Sequence, residues 1–566
     1  MKFSEMQYIR PDFEAVRATI TAYTAQLKGA ADFAAADAAF LGMQAVESAL
    51  LTADAISYVR HTIDTRDEFY DGEVRLLAEQ MPLLKESEQG WQKALLASPY
   101  RDEFEARYGA LMFLDLEIAL KTFDPAIVAE LQEENALVIE YNNLIASAQI
   151  PFEGGVYTLS QLTPFKQDPD DSRRRAAWEA EGRFYQEKGE ELDALYDRLV
   201  KVRTAQARKM GYENYIELGY YRMGRNCYTQ GDVEKFRAAV VKYLVPVADR
   251  VVRHQAGRLG KEYPLNFADN ALFYRGGNAA PRGDAGDILE MGRKFYHELS
   301  PETAEFIDFM LENELMDVLS RTGKSGGGYC TEIPDYQSPF IFANFNGTQG
   351  DVEVITHEAG HAFAAYTARD MVPLENRSPT LESCEIHSMS MEFFAWPWAE
   401  GFFGPDADKF RYKHLSDALT FIPYGTMVDH FQHIVFENPD MTPARRHGIW
   451  KELLGTYMPW MKLGEIPFYG DAHGWQRQMH IYERPFYYID YCLAQTAALE
   501  FWAAMQADRD SAWRRYLALV RLAGTETFNG LMASAGLDTP FGDNALRTVS
   551  AAAVAWLESV DPAKLV

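Results

Sequence analysis

Two histidines and a glutamate stand together in "VITHEAGHAF" (354–363): His357 and His361 are four residues apart, and Glu358 directly follows the first. On an α-helix that spacing amounts to about 40° of rotation and about 6 Å of rise, so both imidazoles leave the same face. Two ring nitrogens placed this way can reach one Zn2+ at about 2.0–2.1 Å. Glu358 points beside such an ion and not at it, where a carboxylate can take a proton from the water that a metal activates. Gly360 lies between the histidines, and its missing side chain allows other structure to approach closely. The bland alternative is an ordinary helix with two histidines, because so short a pattern also occurs by chance.

A catalytic zinc takes a third protein ligand and keeps one position open. Downstream, "SPTLESCEIHSMSMEFFAWPW" (378–398) offers Glu382, Glu385, His387 and Glu392. Glu385, Ser388 and Glu392 recur at helical spacing and share a face, whereas His387 points to the other side. One division of labour makes Glu385 the third ligand and Glu392 an acceptor for a metal-histidine N–H, with Glu382 the next candidate. Solvated helix charges are the competing reading. The apolar neighbours Ile386, Met389, Met391, Phe393 and Phe394 weaken it, since carboxylates in such a helix need partners. His430 and His433 in "DHFQH" have no adjacent catalytic carboxylate and read as structural or channel-lining. Gly323-Lys324-Ser325 looks like the end of a phosphate-binding loop, but the glycine required five residues earlier is Val318. That rules out nucleotide binding and leaves the glycine-rich stretch as a flexible flap over a cleft.

The elements that must hold these groups are mostly helices. "DFAAADAAFLGMQAVESALLTADAISYVRHTI" (32–63) carries apolar residues at helical spacing with almost no breakers, and Pro82 is expected to kink or end another helix. Two β-prone runs flank Gly154–Gly155 in "QIPFEGGVYTLSQL" (149–162), which predicts a hairpin. Helical signals resume after about residue 170, and a loop follows at 274–286. From 326 a glycine cluster leads into the β-prone run Phe340–Phe345, the turn "NGTQG" and the histidine helix, for which Asp351 is the expected N-cap. The run Phe340, Ile341, Phe342, Ala343, Asn344 reads either as a core strand or as an edge strand whose free backbone pairs with an extended substrate. The fold class is mainly α, with a small β element beside the candidate site.

Composition narrows the partners. The 566 residues are 47% hydrophobic and 24% charged, as in a globular chain. A net charge of −28 argues against nucleic acid and against an anionic membrane surface. Cys227, Cys330, Cys384 and Cys492 lie far apart, which fits neither a disulfide framework nor a cysteine zinc site. With no apolar run long enough to span a bilayer and no signal-like N-terminus, the expected location is the cytoplasm.

HEAGH, followed after 23 residues by Glu385 in "EIHSMSME", resembles the zinc metallopeptidases of the oligoendopeptidase F and thimet oligopeptidase family. The resemblance extends to "SPFIFANFNGT" and to "HIYERPFYYIDY" (480–491), and covers about 170 contiguous residues from 325 to 495. It implies a large helical two-lobed ellipsoid with a deep substrate channel and a thermolysin-like zinc site. The division expected is a helical lobe over 1–205 and a zinc peptidase region over 206–566. The resemblance makes His357, His361 and Glu385 the ligands of one Zn2+ per chain and Glu358 the general base. It also sets His480, Tyr488 and Tyr491 against the substrate carbonyl. The spacing from His480 to the tyrosine pair is one residue shorter than in the thimet branch, so Tyr487 or Tyr482 stays open for the role given to Tyr488. Phenol hydroxyls and an imidazole N–H are suitable donors to a tetrahedral oxyanion, although aromatic clusters are more often core. The function implied is hydrolysis of internal bonds in short unstructured peptides. The alternatives are a carboxypeptidase or dipeptidyl carboxypeptidase on the same fold, and a non-catalytic peptide-binding protein.

Overall fold

Asp32 starts the first long helix that the sequence predicts: its carboxylate accepts from the Ala35 N–H at 2.8 Å, and the helix runs Phe33–Ile63. The computed structural model describes residues 1–321 and 323–565, with the backbone alone at 82, 146 and 160. The chain is mainly α, with three small sheets among the described residues. It separates into two compact units, each assembled from three stretches of sequence. The four cysteines are free thiols, and no described helix is long and apolar enough to cross a membrane.

The first unit comprises Met1–Leu120, Ala280–Pro405 and Ala504–Leu537. Its N-terminal helices Phe13–Lys28, Phe33–Ile63 and Glu68–Leu96 pack around Ile20, Phe40, Trp91 and Phe104. The third of these continues through position 82, so the expected end there does not occur. Three strands follow in the order Met316–Leu319, Ser338–Phe345, Tyr329–Ile333, the first pair parallel and the second antiparallel. The run Phe340–Phe345 is therefore the middle of the sheet, which corrects the edge-strand expectation. Phe340, Ile341, Phe342 and Ala343 are at most 1% exposed. An unbroken apolar run signals a strand covered on both faces, with a neighbour on each side. The helix Gln349–Ala368 packs on this sheet, and Leu381–Phe394 and Ala285–Leu299 pack on that helix.

The second unit comprises Lys121–Ala279, Asp406–Ala503 and Asp538–Val566. The predicted hairpin is present as Ile150–Phe152 paired antiparallel with Gly155–Tyr157. The expected boundary between 205 and 206 falls within the helix Gly189–Lys209. The long helix Ala407–Glu437 is followed by Pro443–Tyr457 and later by the helix that begins at Tyr488. Buried ion pairs cross this unit: Arg225 holds Asp490 at 3.0 Å and Arg237 holds Asp429 at 3.1 Å. His433 belongs to the same network through Asp429 at 3.2 Å and also meets the Tyr220 hydroxyl at 2.9 Å, and His430 meets Tyr457 at 3.0 Å. Both histidines have structural partners.

Candidate metal and catalytic site

The turn before the histidine helix is closed by Asp351, although not as an N-cap. The helix is Gln349–Ala368 with Thr348 at the N-cap, and Asp351 lies in its first turn. From there its carboxylate reaches back to accept from the N–H groups of Asn346 and Gly347, at 2.9 and 2.7 Å. The negative charge thus serves both the loop and the helix dipole. Gly360 has the role expected of it. A Cβ there would stand 2.7 Å from Ser388 Cα and 2.8 Å from the His387 carbonyl, so its absence lets the helix Leu381–Phe394 lie directly against the histidine helix.

That close approach brings the carboxylate of Glu385 to both imidazoles. Its Oε2 lies 3.5 Å from His357 Nε2 and 3.5 Å from His361 Nε2. His357, His361 and Glu385 form the single set of three metal-ligating side chains among the described residues, with ligand atoms all within 4.8 Å of one another. Tetrahedral zinc with nitrogen and oxygen ligands separates its donors by about 3.3–3.4 Å, so two nitrogens and one oxygen at these distances fit such an ion. Glu392 Oε1 accepts from His357 Nδ1–H at 2.6 Å, which leaves Nε2 free to face Glu385. Ser388 donates to Glu385 Oε2 at 3.0 Å. Burial alone would lower the His357 imidazole, yet its bonds to Glu385 and Glu392 carry it well above the ordinary histidine value. Burial would likewise raise Glu385, but the two histidines hold it well below the usual carboxylate range.

Glu358 is not in the ligand set. Burial raises its carboxyl and the two histidines pull it back, with a net upward shift. A carboxylate poised in that way suits proton transfer. A Cβ on Gly328, at the foot of the strand Tyr329–Ile333, would lie 3.8 Å from Glu358 Oε1. His387 stands apart: it is buried, and burial together with the neighbouring His361 pushes it down to about 3. Glu382 accepts from the Thr380 hydroxyl at 2.8 Å.

Two expectations for the neighbouring loop are corrected. The Lys324 side chain is buried and donates to the carbonyls of Ala343 and Leu319 and to Asp317 Oδ1, while Asn344 Nδ2 donates to the carbonyls of Ser325 and Gly327. The glycine-rich stretch is pinned to the sheet and does not hang as a free flap. Asn344 is committed to that pinning, and Phe340, Ile341, Phe342 and Ala343 to the core, so none of the five is placed to bind substrate.

The second unit gathers the other predicted group. The rings of Tyr487, Tyr488 and Tyr491 lie 5.6, 5.1 and 6.0 Å from the His480 ring. Tyr488 opens the helix Tyr488–Ala507 and Tyr491 follows one turn later on the same face. Gly425 makes room for this: a Cβ there would sit 2.4 Å from Cys492 Sγ and 3.3 Å from the Tyr488 ring. Tyr482, left open above for the role given to Tyr488, does not belong to the cluster. It is fully buried, stacks on Tyr141 at 4.1 Å and donates to the Leu192 carbonyl at 3.2 Å.

Residues that sequence reasoning missed hold the cluster in place. Gln478 Nε2 donates to His480 Nδ1 at 2.8 Å, and its Oε1 accepts from the Tyr424 hydroxyl at 2.9 Å. The proton is thereby assigned to His480 Nε2, and burial with Arg484 nearby pushes the imidazole down to about 4. Phe486, two residues before Tyr488, has φ +68, an outlying conformation for a bulky residue. Its N–H donates to Gln432 Oε1 at 3.0 Å, and its carbonyl accepts from Arg225, which also holds Asp490. Strain of this kind persists only where surrounding structure over-determines it.

Comparison with known proteins gives a consistent result. The profile of the peptidase M3 N-terminal domain matches residues 3–123, and that of peptidase family M3 matches residues 297–550. An oligoendopeptidase F homologue of Borreliella burgdorferi is 22% identical over 231 residues, a match spanning 38% of this chain and 37% of that relative. The structure of PZ peptidase A with an inhibitor is 46% identical, with a TM-score of 0.94 over 99% of this chain and 100% of the other. A Bacillus anthracis structure, provisionally assigned as an oligoendopeptidase F, is 41% identical, with a TM-score of 0.90 over 100% and 99% of the two chains.

Proposed function

This chain belongs to peptidase family M3, among the oligoendopeptidase F proteins, and from that premise we propose that it is a zinc-dependent oligoendopeptidase cutting internal bonds of short unstructured peptides. The observation that carries the zinc reading is the pair of 3.5 Å separations from Glu385 Oε2 to His357 Nε2 and His361 Nε2. In this reading His357, His361 and Glu385 hold the ion, and Glu392 fixes the orientation of His357. A bound Zn2+ supplies Lewis-acid chemistry, acidifying water and polarising a carbonyl.

The chain's own residues do the rest. Glu358 takes the proton of the attacking water and delivers it to the leaving amine, as its upward-shifted carboxyl permits. His480, held neutral with its proton on Nε2, donates to the developing oxyanion, and Tyr488 and Tyr491 add phenol donors. An extended peptide binds along the outer strand Tyr329–Ile333, which has no strand on its other side among the described residues and begins next to Glu358. Peptides blocked at both ends separate this reading from a carboxypeptidase or dipeptidyl carboxypeptidase: an endopeptidase cuts them, and an enzyme that needs a free C-terminus does not.

A further inference from the structure

The second unit contains a cavity of about 330 Å3 that the chemistry above leaves unused. It lies against the helices Ala407–Glu437 and Pro443–Tyr457 and the segment around Met461–Lys462. Phe421, Tyr424, Leu454 and Leu463 line it while only half-buried, and Trp450 and Trp460 form buried wall behind them. A concave surface of large apolar groups facing solvent is stabilised by an apolar group that fills it.

The polar groups at the cavity narrow what that filler is. Asp417 is paired with Lys413. Arg477 lies 3.7 Å from Glu181 Oε1 and 3.4 Å from the Tyr469 hydroxyl. Each charge already has its counterpart, so a charged ligand group would lose water and meet no unmatched opposite charge. A neutral ring or branched chain loses no such hydration.

Position identifies the source of that side chain. Two wall residues are shared with the His480 cluster. The Phe421 ring lies 5.8 Å from Tyr488 and 6.5 Å from Tyr491, and the Tyr424 ring lies 5.9 Å from Tyr488. Tyr424 also donates to Gln478, which holds His480. A group in the cavity is therefore separated from the donor cluster by the thickness of one side chain, close enough to belong to the same extended peptide. We propose that this cavity is a subsite for one bulky uncharged side chain, aromatic or branched aliphatic, of a peptide bound at the His480–Tyr488 cluster. The proposal rests on the peptidase reading above, which supplies the peptide.

The test uses a set of end-blocked peptides in which phenylalanine or alanine is placed in turn at each position around the scissile bond. The full-length protein should prefer phenylalanine over alanine at one position by at least about tenfold in kcat/KM, and in Kd measured on the Glu358→Gln protein. Leu463→Trp, which fills the cavity, should bring that ratio below about threefold, while Leu454→Ala, which enlarges it, should move the preference from phenylalanine towards tryptophan. If Leu463→Trp fails to fold, the Leu454→Ala shift decides alone. Equal efficiency at every position, or a preference that survives both variants, overturns the subsite and leaves the peptidase reading standing. Absence of any hydrolysis, with a phenylalanine preference in binding that Leu463→Trp erases, overturns the peptidase reading and supports the subsite.

Discussion

Glu358, half-buried, and Glu385, buried, are carboxyls beside the same pair of histidines, and their replacements should fail differently. Glu385→Ala, like His357→Ala or His361→Ala, removes a donor and should remove most of the metal, read by elemental analysis of the purified protein. Glu358→Gln keeps all three donors and should retain the metal, yet lose about 10²–10⁴-fold in kcat, because an amide cannot accept the water's proton. In the donor cluster, Tyr488→Phe should lower kcat by about 10²–10³-fold with KM little changed, whereas Tyr482→Phe should leave kcat near normal. His480 gives a pH signature. Folded, it titrates near 4; unfolded, near the ordinary 6.5. The unfolded chain therefore binds more protons between those values, so this group's contribution to stability rises with pH through that window and is complete above it. An NMR titration should find its imidazole neutral at pH 6. At this scale the sequence was informative where spacing is local: four residues along a helix place two histidines on one face. Tyr424 and Arg225 were illegible, since their partners stand 54 positions away for Tyr424 and Gln478 and 265 for Arg225 and Asp490; Gln478 stands two positions from His480, but no spacing rule in an irregular segment says that their side chains meet.

Elements position these residues through contacts as narrow as a missing methyl group. Gly360→Ala would press a Cβ into Ser388 Cα and the His387 carbonyl, parting the two helices that carry the ligands. It should cost about 1–3 kcal/mol of stability and weaken metal retention, although no ligand has changed. Arg225→Met would strand Asp490 in the interior and release the Phe486 carbonyl. Breaking a buried pair of this kind costs about 3–5 kcal/mol, and kcat should fall while metal content holds. Denaturant unfolding alongside elemental analysis separates the two cases. The histidine helix, the alanine-rich helix and the hairpin could be read from periodicity and turn residues. The sheet position of Phe340–Phe345 could not, because a strand is central or at the edge according to which distant segments flank it. Its continuous apolar run was nevertheless the available signal, and it favoured burial on both faces. Asp351 illustrates the same limit: an acidic residue near a helix start is easy to find, but whether it caps the helix or closes the preceding turn depends on where the first turn begins.

Across the whole molecule, the chain passes from one compact unit to the other five times, so neither unit is a continuous stretch that composition could mark off. The helical class was legible from apolar spacing along nearly every segment; the division into units was not, since no proline- or glycine-rich linker announces it. The proposed function adds an expectation on size: short peptides should be cut, and rapid digestion of a folded protein without prior unfolding would overturn it. The most direct test of the central claim is mass spectrometry of the products from a peptide blocked at both ends, incubated with zinc-loaded parent protein and with Glu358→Gln protein of equal zinc content. The parent should cleave the peptide internally and the variant should leave it intact. An intact peptide in both, or the same products from both, would contradict the claim.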